Sequence, residues 1–167
     1  MMTFYKRLLL IGIILFSCVG CDQVTKVVDQ KYLTPSHPIS YLGDTIRLQY
    51  IENNGAFLSL GAKLPANFRF WSLIVSTGIA VVGMLVFILV KRSLRPSFVI
   101  AISFIIGGGV SNLIDRMFNN GAVIDFINIG IGRLCTGIFN VADVAIMTGM
   151  GLLVFFGLRY SRLGNNF

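Results

Sequence analysis

A polytopic α-helical membrane protein, with four transmembrane helices, a small extracytoplasmic β-sheet acting as a cradle and a flap segment, is the fold this sequence predicts. Three observations carry that prediction. Of 167 residues, 55% are hydrophobic and only 13% charged, about half the charged share of an ordinary soluble domain, and the mean hydropathy is +0.80. Four uncharged runs, at 8–21, 70–90, 96–114 and 144–158, divide the chain. The net charge of +7 is segregated rather than spread. This composition excludes an ordinary water-soluble enzyme and an intrinsically disordered chain. A single integral-membrane domain over 1–167 is expected, with spans at about 6–28, 70–90, 96–115 and 139–158.

The first run has 14 residues and would reach only about 21 Å at 1.5 Å per residue, short of a hydrocarbon core about 30 Å thick. If it spans, its helix must continue through Asp22, and span four, whose run has 15 residues, must likewise include Asp143, so both sit inside the membrane near one face. Thr25, Lys26 and Asp29 share the helix face of Asp22. Cys18-Val19-Gly20-Cys21 matches C-x-x-C, but no βαβ context or further ligand accompanies it, so neither redox nor zinc chemistry is expected. Three cysteines, an odd number, make no disulfide framework.

The segment after span one alternates Ile46, Leu48 and Tyr50 with Thr45, Arg47 and Gln49, the period of a strand with one wet face. Asn53-Asn54-Gly55 is a strong turn signal, from which 56–60 can return as a second strand. The stretch 61–69, with Lys63 and Pro65, is a candidate flap. Span two follows at 70–90. Span three contains Gly107, Gly108 and Gly109, which permit close approach of a neighbour, and ends in Asn112, Asp115 and Arg116 on one face. Asn119-Asn120-Gly121 then turns the chain into a strand over 123–129 that carries Asp125. The outer β elements are thus expected at about 39–60 and 122–131. Span four opens with Asn140 and Asp143, three apart and pointing the same way.

Basic residues set the direction. Lys6, Arg7, Lys91, Arg92, Arg95, Arg159 and Arg162 occupy three short segments without one acid, which marks the cytoplasmic side. The other seven cations share the two longer segments with all seven acids and balance them. The excess charge therefore belongs to the membrane rim, and no nucleic-acid partner is expected. Both termini face the cytoplasm, and the chemistry faces the outer leaflet.

Ionisable groups at membrane depth are costly, from about 2.5 kcal/mol upward, and are functional candidates for that reason. Plainer readings stand beside each. Asp22 and Lys26 can simply anchor span one at the interface. Asn112, Asp115 and Arg116 can be a polar helix end with its own salt bridge, or Arg116 can orient a substrate carbonyl or a catalytic acid. Asp125, on an apolar strand without a nearby cation, can face water. Asn140 and Asp143 can likewise be a polar helix end, although their depth at the outer end of span four weighs against that reading. If Asp125 and Asp143 meet in a low-dielectric site, both cannot ionise, and one keeps a proton at neutral pH. The ionised carboxylate then takes a proton from water while its partner polarises a peptide carbonyl. Such chemistry needs no metal or other cofactor. The single histidine, His37, lies between Pro35 and Pro38 and supports neither a triad nor a multi-histidine metal site.

Five motifs resemble those of the bacterial lipoprotein signal peptidases (signal peptidase II), four-span aspartic peptidases. Asp22-Gln23-Val24-Thr25-Lys26 resembles the family's D-Q-x-T-K, and Asn53-Asn54-Gly55-Ala56 its N-x-G-A. The stretch from Gly108 to Arg116 is similar to G-G-x-x-N-x-x-D-R. Val123-Ile124-Asp125-Phe126 is similar to V-x-D-F, and Phe139-Asn140-Val141-Ala142-Asp143 to F-N-x-A-D. The resemblance implies that Asp125 and Asp143 are the catalytic pair, with Asn53, Gly55, Asn112, Arg116 and Asn140 lining the substrate site and Asp22, Lys26 and Asp115 supporting it. It also implies an inner-membrane enzyme, a monomer among membrane lipids, that cleaves diacylglyceryl-modified prolipoproteins on the amino side of the lipidated cysteine. After N-x-G-A many members have a small residue and then an aromatic, where this chain has Phe57 and Leu58. Two other readings compete. One is a lipoprotein processed at Cys21, suggested by Lys6-Arg7, the apolar run and Gly20-Cys21. The other is a small non-enzymatic transporter subunit, against which the acids lie on one side only and no inverted repeat is visible.

Overall fold

The computed structural model describes residues 2–33, 38–56, 60–132 and 134–164, with side chains as far as Ser161. Its elements, in chain order, are α1 (Phe4–Tyr32), β1 (Ile39–Tyr41), β2 (Ile46–Asn53), the short α2 (Ala66–Arg69), a π-helical stretch (Phe70–Val75), α3 (Ser76–Val90), α4 (Pro96–Phe118), β3 (Val123–Ile131), β4 (Leu134–Cys135) and α5 (Val141–Gly164). Four helices are long and apolar enough to cross a membrane: Phe4–Tyr32, Ala66–Val90, Pro96–Phe118 and Val141–Ser161. Phe16, Ile79, Val86, Val154 and Leu158 stand out from α1, α3 and α5 with more than 45% of their surface exposed. Apolar flanks of this kind suit a hydrocarbon surround, and in a helix every interior backbone group is satisfied without water.

α4 is the central helix. Val99, Ala101, Ile102, Ser103 and Ile106 are buried along it, and Val99, Ile102 and Ile106 pack with Ile11, Val81 and Ile88 of the neighbouring helices. Its three consecutive glycines face three different partners. A Cβ at Gly107 would lie 2.7 Å from the Cβ of Cys18 in α1, and one at Gly109 would lie 2.9 Å from Cγ2 of Val81 in α3. At Gly108 it would collide with the Ala142 carbonyl oxygen of α5. Because backbone cannot yield as a side-chain tip can, Gly108→Ala is expected to cost about 1–3 kcal/mol. Thermal unfolding in detergent checks this, and an unchanged midpoint would contradict the packing described.

The far end of the bundle is fastened by Arg7. Its buried guanidinium donates to the carbonyls of Ile88, Lys91, Arg92 and Leu94 at 3.0–3.1 Å, satisfying carbonyls that the end of α3 leaves open. Arg7 is thus a clamp between α1 and the α3–α4 loop rather than a free rim charge.

At the opposite end sits an antiparallel sheet in the order β1-β2-β3-β4. Ile39 pairs with Leu48, Ile46 with Ile129, and Ile51 with Asp125, with an irregularity between Leu48 and Ile51. The expected return strand over 56–60 is absent at its described ends: Ala56 donates to the Leu60 carbonyl at 2.7 Å and closes a loop. The reason is local. Asn53 Oδ1 accepts from Gly55 N–H at 2.9 Å and Asn53 Nδ2 donates to the Ala56 carbonyl at 3.1 Å, so the side chain curls the backbone. The two edges of β2 are taken by β1 and β3 instead. Residues 57 and 58, where the chain departs from the family pattern, lie outside the described residues, as does His37.

Candidate active site

Asp125 comes from the third position of β3 and Asp143 from the first turn of α5, and both line one groove of about 380 Å³. Asn140 joins them. Its Oδ1 accepts from the Asp143 N–H at 2.8 Å, the side-chain cap that starts α5. Its Nδ2 donates to Asp125 Oδ1 at 2.7 Å and lies within 3.1 Å of Asn112 Oδ1. Asn53 Nδ2 donates to Asp125 Oδ2 at 2.9 Å, and Asn112 Nδ2 donates to Asp143 Oδ1 at 3.0 Å. Three carboxamides therefore fix the two carboxyls. The question the sequence leaves open, whether these aspartates converge, is answered by geometry.

The two carboxyls are not equivalent. Asp143 sits at a helix N-terminus, where the backbone dipole favours an anion. Asp125 is 2% exposed, and burial, with the neighbouring Asp143 charge, pushes its pKa up to about 6 against the opposing hydrogen bonds from Asn53 and Asn140. A carboxyl raised in this way beside one at a helix N-terminus suits a pair that holds one proton between them.

Behind the pair lies a buried ion cluster. Lys26 Nζ is 2.6 Å from Asp22 Oδ2 and 2.7 Å from Asp115 Oδ2, and it donates to Asn112 Oδ1 at 3.3 Å. All three charged residues are at most 3% exposed. Asp22 Oδ1 also accepts from the Ala142 N–H at 2.8 Å, and Asp115 Oδ2 from the Ile124 N–H at 3.0 Å. α1 and α4 thereby hold the start of α5 and of β3, the elements that carry the aspartates. Sequence reasoning missed Gln23 and Ser111. Gln23 Nε2 donates to Asp115 Oδ1 at 2.8 Å and Ser111 Oγ to Asp22 Oδ2 at 2.7 Å. The signal was present, since Ser111 lies one turn before Asp115 on its helix face. Thr25 does not join the cluster and bonds back to the Cys21 and Asp22 carbonyls.

Arg116 lines the groove and donates through Nη2 to the Gly55 carbonyl at 3.0 Å. Its Nε has no partner among the described residues. Gly55 is held in turn by Asn53, so Arg116 and the 53–56 turn form the groove's upper edge. On that side α2 approaches, where Arg69 Nη1 donates to the Asn54 carbonyl at 3.5 Å and to the Ala62 carbonyl at 3.3 Å. The groove continues among the helices past Leu73, Thr77, Ile146, Met147 and Met150. Its floor is apolar and its head is polar. The structure thus joins Asp22, Lys26, Asn53, Gly55, Asn112, Asp115, Arg116, Asp125, Asn140 and Asp143 in one connected set. Cys21, by contrast, stands on the exposed side of an unbroken α1.

Comparison with known proteins gives concordant similarities. The family model described as Signal peptidase (SPase) II matches residues 14–159. The chain is 33% identical over 168 residues to a protein of Mycobacterium avium (strain 104) named lipoprotein signal peptidase, covering 95% of this chain and 86% of that one. A protein of the same name from Brevibacillus brevis is 32% identical over 136 residues, 81% of this chain and 86% of its own. A solved bacterial membrane enzyme superposes with a TM-score of 0.78 at 26% identity, covering 90% of this chain and 88% of the other. A second superposes with a TM-score of 0.73 at 25% identity, over 89% and 92%.

Proposed function

The chain belongs to the signal peptidase II family, and on that premise we propose that it is a membrane-embedded aspartic endopeptidase that removes signal peptides from diacylglyceryl-modified prolipoproteins. The scissile bond lies on the amino side of the lipidated cysteine. The observation that carries the mechanism is the pair Asp125 and Asp143 in one groove, cross-linked by Asn140.

Asp143, ionised at the start of α5, removes a proton from a water molecule as its oxygen attacks the scissile carbonyl carbon. Asp125 gives its proton to the carbonyl oxygen, and a neutral tetrahedral diol results. Asp143 then returns its proton to the amide nitrogen, the carbon–nitrogen bond breaks, and Asp125 recovers a proton from the collapsing diol. The dyad ends as it began. Arg116 and the Asn53 to Ala56 turn hold the peptide backbone at the polar head of the groove, and the apolar floor receives the acyl chains. Docking a lipid-anchored substrate sideways from the bilayer also preorganises it against the dyad. The enzyme lies in the inner membrane of a bacterium as a monomer, its sheet outside and its termini in the cytoplasm, because the acid-free basic segments all lie at the end away from the sheet. No metal or other cofactor enters these steps. The transporter reading has nothing comparable, since among the described residues the buried ionisable groups gather at the sheet end and only Arg7 lies at the other.

The test is digestion of one prolipoprotein, with and without its diacylglyceryl group, by the purified protein in detergent. Mass analysis should show cleavage of the modified form alone, immediately before the cysteine. Cutting elsewhere, or equal cutting of the unmodified chain, would overturn the assignment.

A pH dependence follows from Asp125. The active dyad keeps one proton, and that proton leaves as pH rises through about 6. kcat/KM should therefore fall as pH rises above this value, and fall again on the acid side once Asp143 takes up a proton, while the basic limb seen in kcat moves upward because bound substrate displaces water from the carboxyl. A kcat/KM that instead rises through pH 6 would assign the wrong protonation state.

A further inference from the structure

A second carboxylate site lies on the other side of the sheet. Asp29, near the end of α1, is 3% exposed, and neither of its oxygens has a hydrogen-bond partner among the described residues. Lys26, one turn earlier, is committed to Asp22 and Asp115. A buried carboxylate without a partner is among the most costly features a fold can keep. It is not sealed in, because it lines a cavity of about 370 Å³ together with Thr25, Tyr32, Tyr41, Leu48 and Phe126.

The lining specifies the occupant. Two bare carboxylate oxygens call for a cation that donates hydrogen bonds, and a primary ammonium offers three N–H donors where a quaternary one offers none. Tyr41, also in the lining, brings an aromatic ring, a group that attracts cations. The Lys31 ammonium lies over the ring of the lining residue Tyr32, 5.4 Å from its centroid, which puts a positive charge next to a cavity that holds a carboxylate. A zwitterion matches that order of charges, with its ammonium inward and its phosphate at the rim. Val24, Val28 and Tyr32 around the mouth are 51–67% exposed and apolar, so the occupant arrives from the bilayer boundary.

We infer that this cavity binds the phosphoethanolamine headgroup of a membrane phospholipid, at a site separate from the peptidase groove. The site touches the catalytic strand. Asp125 lines the groove and Phe126, the next residue of β3, lines the headgroup cavity, as neighbours on a strand point to opposite faces. An occupied cavity braces β3 from behind.

The experiment is native mass spectrometry of the full chain in detergent with short-chain phospholipids that differ only in headgroup. Wild type should bind the ethanolamine lipid about tenfold more tightly than the choline or glycerol lipid, the value of one charge-assisted hydrogen-bonded contact. Asp29→Asn should remove that preference while cleaving substrate at the wild-type rate in ethanolamine-free detergent, which shows that the variant is folded. Free phosphoethanolamine, added without acyl chains, should not compete at equal concentration. Equal binding of all three lipids, a preference that survives in Asp29→Asn, or full competition by the free headgroup would each overturn the proposal.

Discussion

Lys26→Met is expected to cost about 3–5 kcal/mol of stability, the usual penalty for removing one partner of a buried ion cluster. Lys26 stands between Asp22 and Asp115 at 2.6 and 2.7 Å, and methionine would fill its volume but leave two buried carboxylates facing each other. The aspartates would have to take up protons or admit water. Either response loosens their grip on the Ala142 and Ile124 N–H groups, and with it the placement of α5 and β3. The double variant Asp22→Asn/Lys26→Met removes one of the stranded charges and should recover part of the loss, a coupling that independent sites would not show. Thermal unfolding in detergent measures both. A loss under 1 kcal/mol for Lys26→Met would mean the cluster is already solvated.

Asp125→Asn and Asp143→Asn are each expected to lower cleavage about 1,000-fold or more, since a general acid or base contributes typically 10²–10⁴ and members of one catalytic unit do not act independently. The two variants fail for different reasons. Without Asp143 nothing at the groove accepts the proton of water. Without Asp125 the carbonyl oxygen is left without its proton donor. Each amide keeps the shape of the carboxyl it replaces and can retain one hydrogen bond, to Asn112 at position 143 or to Asn53 or Asn140 at position 125. The unfolding midpoint should therefore stay within a few degrees of wild type. Activity within tenfold of wild type in either variant would remove that residue from the reaction.

Much of this architecture is legible in the sequence because the bilayer imposes lengths. The first and fourth apolar runs are too short to span alone, so Asp22 and Asp143 had to lie inside their helices, and they do. The five polar motifs name the residues of the groove. What the sequence does not display is which side-chain atoms are already engaged. The turn signal at 53–55 suggested a hairpin, yet the Asn53 amide is used for Gly55, Ala56 and Asp125 together, and Ala56 and Leu60, the described ends of the expected return strand, lie outside any strand. β1 and β4 are three and two residues long, too short to leave a period. Asp29 shares a helix face with Asp22 and Lys26 in a periodic reading, but Lys26 turns to Asp115 on a helix almost 90 residues away, and that choice isolates Asp29. Arg7 counts as a rim charge until its four carbonyl partners are seen.

The central claim is that two aspartates activate water without forming a bond to the substrate. It is tested most directly by a single turnover, with enzyme in excess over diacylglyceryl-modified prolipoprotein, in water enriched in heavy oxygen. Activation of water by Asp143 and Asp125 predicts that the new carboxylate of the released signal peptide carries one heavy oxygen in that first turnover, with both aspartates unlabelled. An unlabelled peptide, with heavy oxygen instead in the side chain of Asp125 or Asp143, would show that a carboxylate itself attacks, and would contradict the account.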